Sequence, residues 1–243
     1  MKKSFLIISL IISVIALLIV SCSKKEDAGE TPTPGPNSWS PAPGANGTVP
    51  TAVLPMALAD SVGEYFTVHT GENPPIFDGQ FVSSPHVLLY SNFEDDSIGA
   101  EFNDRYIAFF GNNEFMDFYG KQWDDEYDDY YEEAYRKLYV LGTGDNFTCY
   151  YITEAYPNGM YAKQSTIFSG RWDASYGGLK DFQVAVILTE TSGNPNLAPV
   201  GSFRVLGDGD GLAVDTMWMG SKRSVSNERV MTDEDAFRMF RVK

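Results

Sequence analysis

The sequence predicts an all-β domain: an up-and-down antiparallel β-barrel carrying one short acidic amphipathic helix. Three observations point there. Of 243 residues, 43% are hydrophobic and 14% aromatic, including 16 Phe and 14 Tyr, so material for a core rich in strand formers is plentiful. Short runs of β-branched and aromatic residues recur between clusters of Gly, Asn, Asp and Pro, which is the punctuation of hairpins. Helical patterns between those runs are almost absent, so the strands follow one another as a meander, and closure into a barrel removes the edges of such a sheet.

The first residues read as an address. Lys2 and Lys3 precede an apolar run from Phe5 to Val20 broken only by Ser9 and Ser13. A membrane-spanning helix needs about 20 apolar residues, and this run falls short of that. A basic start, an apolar stretch and a small residue at its end predict a signal peptide over residues 1–21. The tetrapeptide Ile19-Val20-Ser21-Cys22 resembles the lipobox of bacterial lipoproteins, which implies cleavage before Cys22 and lipidation of its thiol. Ser23 after it, in place of Asp, resembles the mark of an outer-membrane destination, and Lys25-Glu26-Asp27 resembles the short basic-then-acidic export signal that places Bacteroidetes lipoproteins on the cell surface. That resemblance implies a lipid-anchored protein of the outer membrane exposed at the cell surface, with the periplasmic face as the alternative.

Residues 22–52 then read as a tether. Between Thr31 and Pro50 lie six Pro and three Gly, a density that fixes φ, removes donors and favours an extended chain. Loss of Lys2 and Lys3 with the signal leaves 16 basic residues against 33 acidic ones, a charge of −17. Such a surface disfavours nucleic acid and other polyanions. With Cys22 lipidated, Cys149 is the only thiol left, so the fold stands without an intramolecular disulfide.

The folded domain is expected over residues 53–243. Candidate strands are Tyr65 to His69, Phe77 to Val82, Val87 to Asn92, Tyr106 to Phe110, Tyr139 to Leu141, Phe147 to Thr153, Met160 to Ser169, Phe182 to Thr189, Ser202 to Leu206, Leu212 to Trp218 and Phe237 to Val242. Hairpin-type chemistry sits at Tyr156 to Gly159, Ser175 to Gly178, Ser192 to Pro195 and Asp208 to Gly211. Alternation is clearest at Phe182, Val184, Val186 and Leu188, while Ala185 and Ile187 make the opposite face mixed.

One segment follows another period. Trp123, Tyr127, Tyr130, Tyr131, Ala134, Tyr135, Leu138 and Tyr139 recur at three-four spacing, with acids early in the segment and Arg136 and Lys137 late. This predicts a helix near 123–138, oriented to suit its own dipole.

The stretch His69-Thr70-Gly71-Glu72-Asn73-Pro74-Pro75-Ile76-Phe77-Asp78-Gly79-Gln80-Phe81, with Ser84-Pro85, Leu88 and Ser91-Asn92 after it, resembles the start of calycin-like, lipocalin-type lipoproteins of Bacteroidetes. Gly144 to Thr148, Ser169-Gly170, and Gly201 to Leu206 running into Asp208-Gly209-Asp210-Gly211 are similar to the same family. The resemblance spans roughly residues 66–243 and implies the barrel fold, while assigning no catalytic or binding residue.

The chemistry-bearing residues are few. Asp208 and Asp210, with Asp215, resemble part of a calcium loop but lack further acids at fixed spacing, so a hairpin turn is expected and no metal site is assigned. The carboxylates from Asp124 to Glu133 read as a solvated face, and the aromatic stripe beside them as sheet packing, with stacking on sugar rings as its functional alternative. His69 and His86 have no nucleophile or acid pattern around them, and Cys149 sits mid-strand as a buried thiol. The expected function is therefore a monomeric, non-enzymatic envelope lipoprotein without a cofactor. Its barrel mouth would bind a small neutral or cationic ligand; the alternative is a surface protein contacting a glycan or another protein through its outer face.

Overall fold

The computed structural model describes residues 48–111, 116–125, 128–218, 229–230 and 237–240. All fall within the compact unit Pro34–Lys243. The expected signal peptide, Cys22 and nearly all of the expected tether lie outside the described residues. The chain enters through helix α1, Met56–Gly63, and continues into strands β1 Glu72–Asn73, β2 Asp78–Ser83, β3 His86–Ser91, β4 Glu101–Phe102, β5 Arg105–Gly111, β6 Met116–Asp124 and β7 Asp129–Thr143. There follow β8 Asn146–Ala155, β9 Ala162–Asp173, β10 Gly178–Thr191, β11 Phe203–Asp208, β12 Leu212–Asp215 and β13 Arg229–Val230.

These segments build eight antiparallel staves in a closed barrel. Three staves are each made of two segments in line: β2 with β3, β4 with β5, and β11 with β12. The seam between first and last stave is held by Val82↔Val214 and Phe81↔Asp215, then by five pairs from His86↔Asp208 to Ser91↔Arg204. Asp208 to Gly211 is thus a turn within one stave rather than a hairpin between two. The short β1 and β13 lie parallel to β7.

Two hydrophobic layers hold the wall. Inside, Phe77, Phe81, Phe109, Phe118, Phe147, Phe168 and Phe182 are buried together with Val184, Val186 and Leu188. Outside, Ile152, Ile167, Ala185, Ile187 and Val205 of β8 to β11 are buried under Val53, Val62 and Phe66. Ala185 and Ile187 therefore look mixed in sequence because β10 is covered on both faces. Helix α1 follows Pro55, a residue that suits a helix start, and presents Val62 to that outer layer.

The predicted acidic helix near 123–138 is not formed. Residues 123–124 end β6, a turn includes Asp125 and Asp128, and 129–138 belong to β7, paired with β6 from Asp124↔Asp129 to Met116↔Leu138. Glu126 and Tyr127 lie outside the described residues. A helix here would set Asp124 against Asp128, Asp125 against Asp129, Asp128 against Glu132 and Asp129 against Glu133 at the repelling i, i+4 spacing. Its tyrosines prefer strands, and β6 supplies a partner edge. The single α-helix among the described residues is α1 instead.

Two candidate strands also differ. Tyr65 to His69 runs over the outer wall without joining it, since the closed barrel leaves no edge there. Side chains of the wall hold its backbone: Thr67 N–H donates to Gln183 Oε1 at 3.0 Å and His69 N–H to Thr148 Oγ1 at 2.8 Å. Phe237 to Phe240 turns into a 3₁₀ segment whose Phe237 and Phe240 are buried in the interior layer, and the Phe240 carbonyl accepts the Ala198 N–H at 2.7 Å.

Candidate functional site

The wall opposite α1 carries an aromatic cluster. In β5 and β6 alternate residues point inward, so Ile107, Phe109 and Phe118 join the interior while Tyr106, Lys121 and Trp123 face out. Tyr106 pairs with Lys121 across β5 and β6, and Trp123 with Tyr130 across β6 and β7. Trp218, just beyond β12, donates its indole N–H to the Ile107 carbonyl at 3.2 Å and so lies over the same face.

The rings stand on edge to one another. Centroids are 6.3 Å apart for Tyr106 and Tyr130 at 74°, 6.0 Å for Tyr106 and Trp218 at 61°, and 5.1 Å for Trp123 and Tyr130 at 81°. The Lys121 ammonium sits among them, 4.5 Å from the Tyr130 centroid, 5.2 Å from Trp218 and 5.5 Å from Tyr106. No described carboxylate pairs with it. Burial, then the neighbouring Tyr130 and Asp104, push the Tyr106 hydroxyl above its ordinary pKa. Rings nearly perpendicular around one point form a cage for a cation rather than a flat platform.

The barrel interior is occupied by rings in contact. Phe118 and Phe168 lie 4.7 Å apart, Phe77 and Phe147 4.9 Å, and Phe109 touches Phe118, Phe147 and Phe168 at 5.5 to 6.0 Å. A polar group shares the inner wall. Ser83 Oγ lies 3.0 Å from His86 Nδ1, and Arg105 Nη1 lies 3.5 Å from Gln122 Oε1, with all four residues buried. Burial, with the Arg105 charge second, lowers the His86 pKa to about 3. On β9, Gln164 pairs with Thr153 and with Leu188 of the interior layer, and its buried Oε1 accepts no hydrogen bond.

The residues singled out in the sequence are scattered. His69 lies on the outer wall, far from the seam that holds His86. Asp208 Oδ2 accepts the Ser84 N–H and its Oδ1 the Leu212 N–H, which Asp210 Oδ1 also accepts. Both carboxylates thus serve the turn through its backbone N–H groups, and burial with the adjacent Asp210 raises the Asp208 pKa. Among the described residues no three His, Cys, Asp or Glu side chains group as metal ligands. Cys149 is fully buried, and burial pushes its thiol pKa well above the ordinary range. Of the supposed helical stripe, Trp123 and Tyr130 do meet, as a cross-strand pair. Lys121, Tyr106 and Trp218 were missed; the alternation of Tyr119, Lys121 and Trp123 around Gly120 was the signal available for β6.

No family model, curated protein or solved structure matches this chain. The closed eight-stave antiparallel barrel is consistent with a calycin-like fold.

Proposed function

We propose that the chain is an outer-membrane lipoprotein of the Bacteroidetes calycin-like type, acylated at Cys22 and exposed at the cell surface, which works as a binding module through the outer face of β5, β6 and β7. It is a non-enzymatic monomer in this reading. The observation that carries the choice of face is where the rings lie: those at interior positions touch one another, while Tyr106, Trp123, Tyr130 and Trp218 gather outside. Aromatic residues with an amphipathic tip are the usual anchors of such contacts.

A ligand in the barrel mouth is the second reading, and Gln164 favours it, because a buried amide oxygen without a donor is costly unless something reaches it. Arrays of neutral glycans and of peptides, probed with the purified protein, separate the two. The outer-face reading expects binding that is lost in a Tyr106→Ala, Trp218→Ala double variant and kept in Gln164→Leu. Loss in Gln164→Leu with the double variant unaffected would move the site to the mouth.

A further inference from the structure

We propose that the Tyr106, Tyr130 and Trp218 cage is a cation site which the chain fills with its own Lys121, and that a lysine or arginine side chain on a basic segment of a partner protein takes its place. The inference rests on the outer-face reading above and names its partner's chemistry. Three rings converge on one ammonium at 4.5 to 5.5 Å, so the geometry for holding a cation is already built. In a chain with 33 acidic residues, the Lys121 ammonium is held by rings and pairs with no described carboxylate.

Charge favours the same partner. A mature charge of −17 draws a basic segment toward this protein and repels an acidic one. The edge-on packing of the rings also argues against a sugar, which stacks on an open ring face. Lys121 hangs on a flexible four-carbon stem and can swing to solvent when another cation arrives. Until then it competes for the cage: if it occupies the rings about 90% of the time, it weakens the apparent affinity for an incoming cation about tenfold.

The probe is a penta-lysine peptide titrated into the protein by calorimetry at moderate salt, with an uncharged peptide of equal length and a neutral oligosaccharide beside it. Saturable binding of penta-lysine is expected, tightened about tenfold in Lys121→Ala and lost in Trp218→Leu and in Tyr130→Leu. Thermal melts of the variants establish that each folds; if Trp218→Leu does not, Tyr130→Leu carries the comparison. Penta-lysine binding that is indifferent to Lys121→Ala and to the ring variants is general charge attraction and overturns the proposal. Ring-dependent binding of the oligosaccharide alone overturns the cation site and leaves the outer-face reading standing, whereas no ring-dependent binding of any probe removes both.

Discussion

Acid should destabilise the barrel through His86. The ring is buried at the seam with Ser83 beside it and Arg105 nearby, and its pKa falls from the ordinary 6.5 to about 3. A histidine with a lowered folded-state pKa binds fewer protons folded than unfolded throughout the window between those values. Stability from this group is therefore intact above pH 6.5 and falls as the pH drops toward 3, at about 1.36 kcal/mol per pH unit. From neutral pH to 4.5 the loss is about 2.7 kcal/mol, a large part of the about 5–15 kcal/mol by which native domains are ordinarily stable. Asp208, whose pKa is raised, acts in the opposite direction as the pH falls, so the wild-type slope alone is ambiguous. The comparison with His86→Asn removes that ambiguity, since the amide can still meet Ser83 but does not titrate. Urea unfolding followed by tryptophan emission should show the gap between wild type and variant shifting by about 2.7 kcal/mol between pH 7.5 and 4.5, in the variant's favour at acid pH. Parallel curves at the two pH values would refute the reasoning.

Cys149 should resist a thiol reagent at pH 8 in the folded protein and react fully in urea; rapid labelling of the native state would contradict its burial. Phe168→Ala removes a fully buried ring that contacts Phe109, Phe118 and Tyr151, and should cost about 3 to 5 kcal/mol in denaturant unfolding. Cys22→Ala should abolish incorporation of a clickable fatty acid in the producing cell, and equal labelling of both forms would remove the anchor. Gly142→Ala should destabilise by more than about 1 kcal/mol, because φ is +149° and the added Cβ would collide with the Asn146 carbonyl oxygen; an unchanged melting temperature would count against the tight β7 to β8 hairpin.

The barrel was legible because its strands carry their own signals. Phe182 to Leu188 alternates, and the turns at Ser175 to Gly178 and Ser192 to Pro195 lie between strands as their residue types require. Residues 123–138 misled because tyrosines three and four apart mimic a helix face, and a periodicity count gives no weight to repulsion between stacked acids or to the partner edge of β6. The cage was illegible for a different reason. Tyr106, Lys121, Tyr130 and Trp218 come from three staves and the segment after a fourth, and only barrel closure brings the chain near residue 218 beside the chain near 106. The contact of Arg105 with Gln122 likewise depends on inward alternation in neighbouring strands that no single stretch of sequence displays.

Val53, Val62 and Phe66 lock the start of the described chain onto the β8 to β11 wall, and in an eight-stave ring that wall lies half a circumference from β5 and β6. A pull arriving through the chain ahead of Val53 would enter on that wall, on the side of the barrel away from Lys121. Were the chain anchored ahead of Val53, the seat of the first helix, rather than the length of chain before it, would decide which side of the barrel faces away from the anchor.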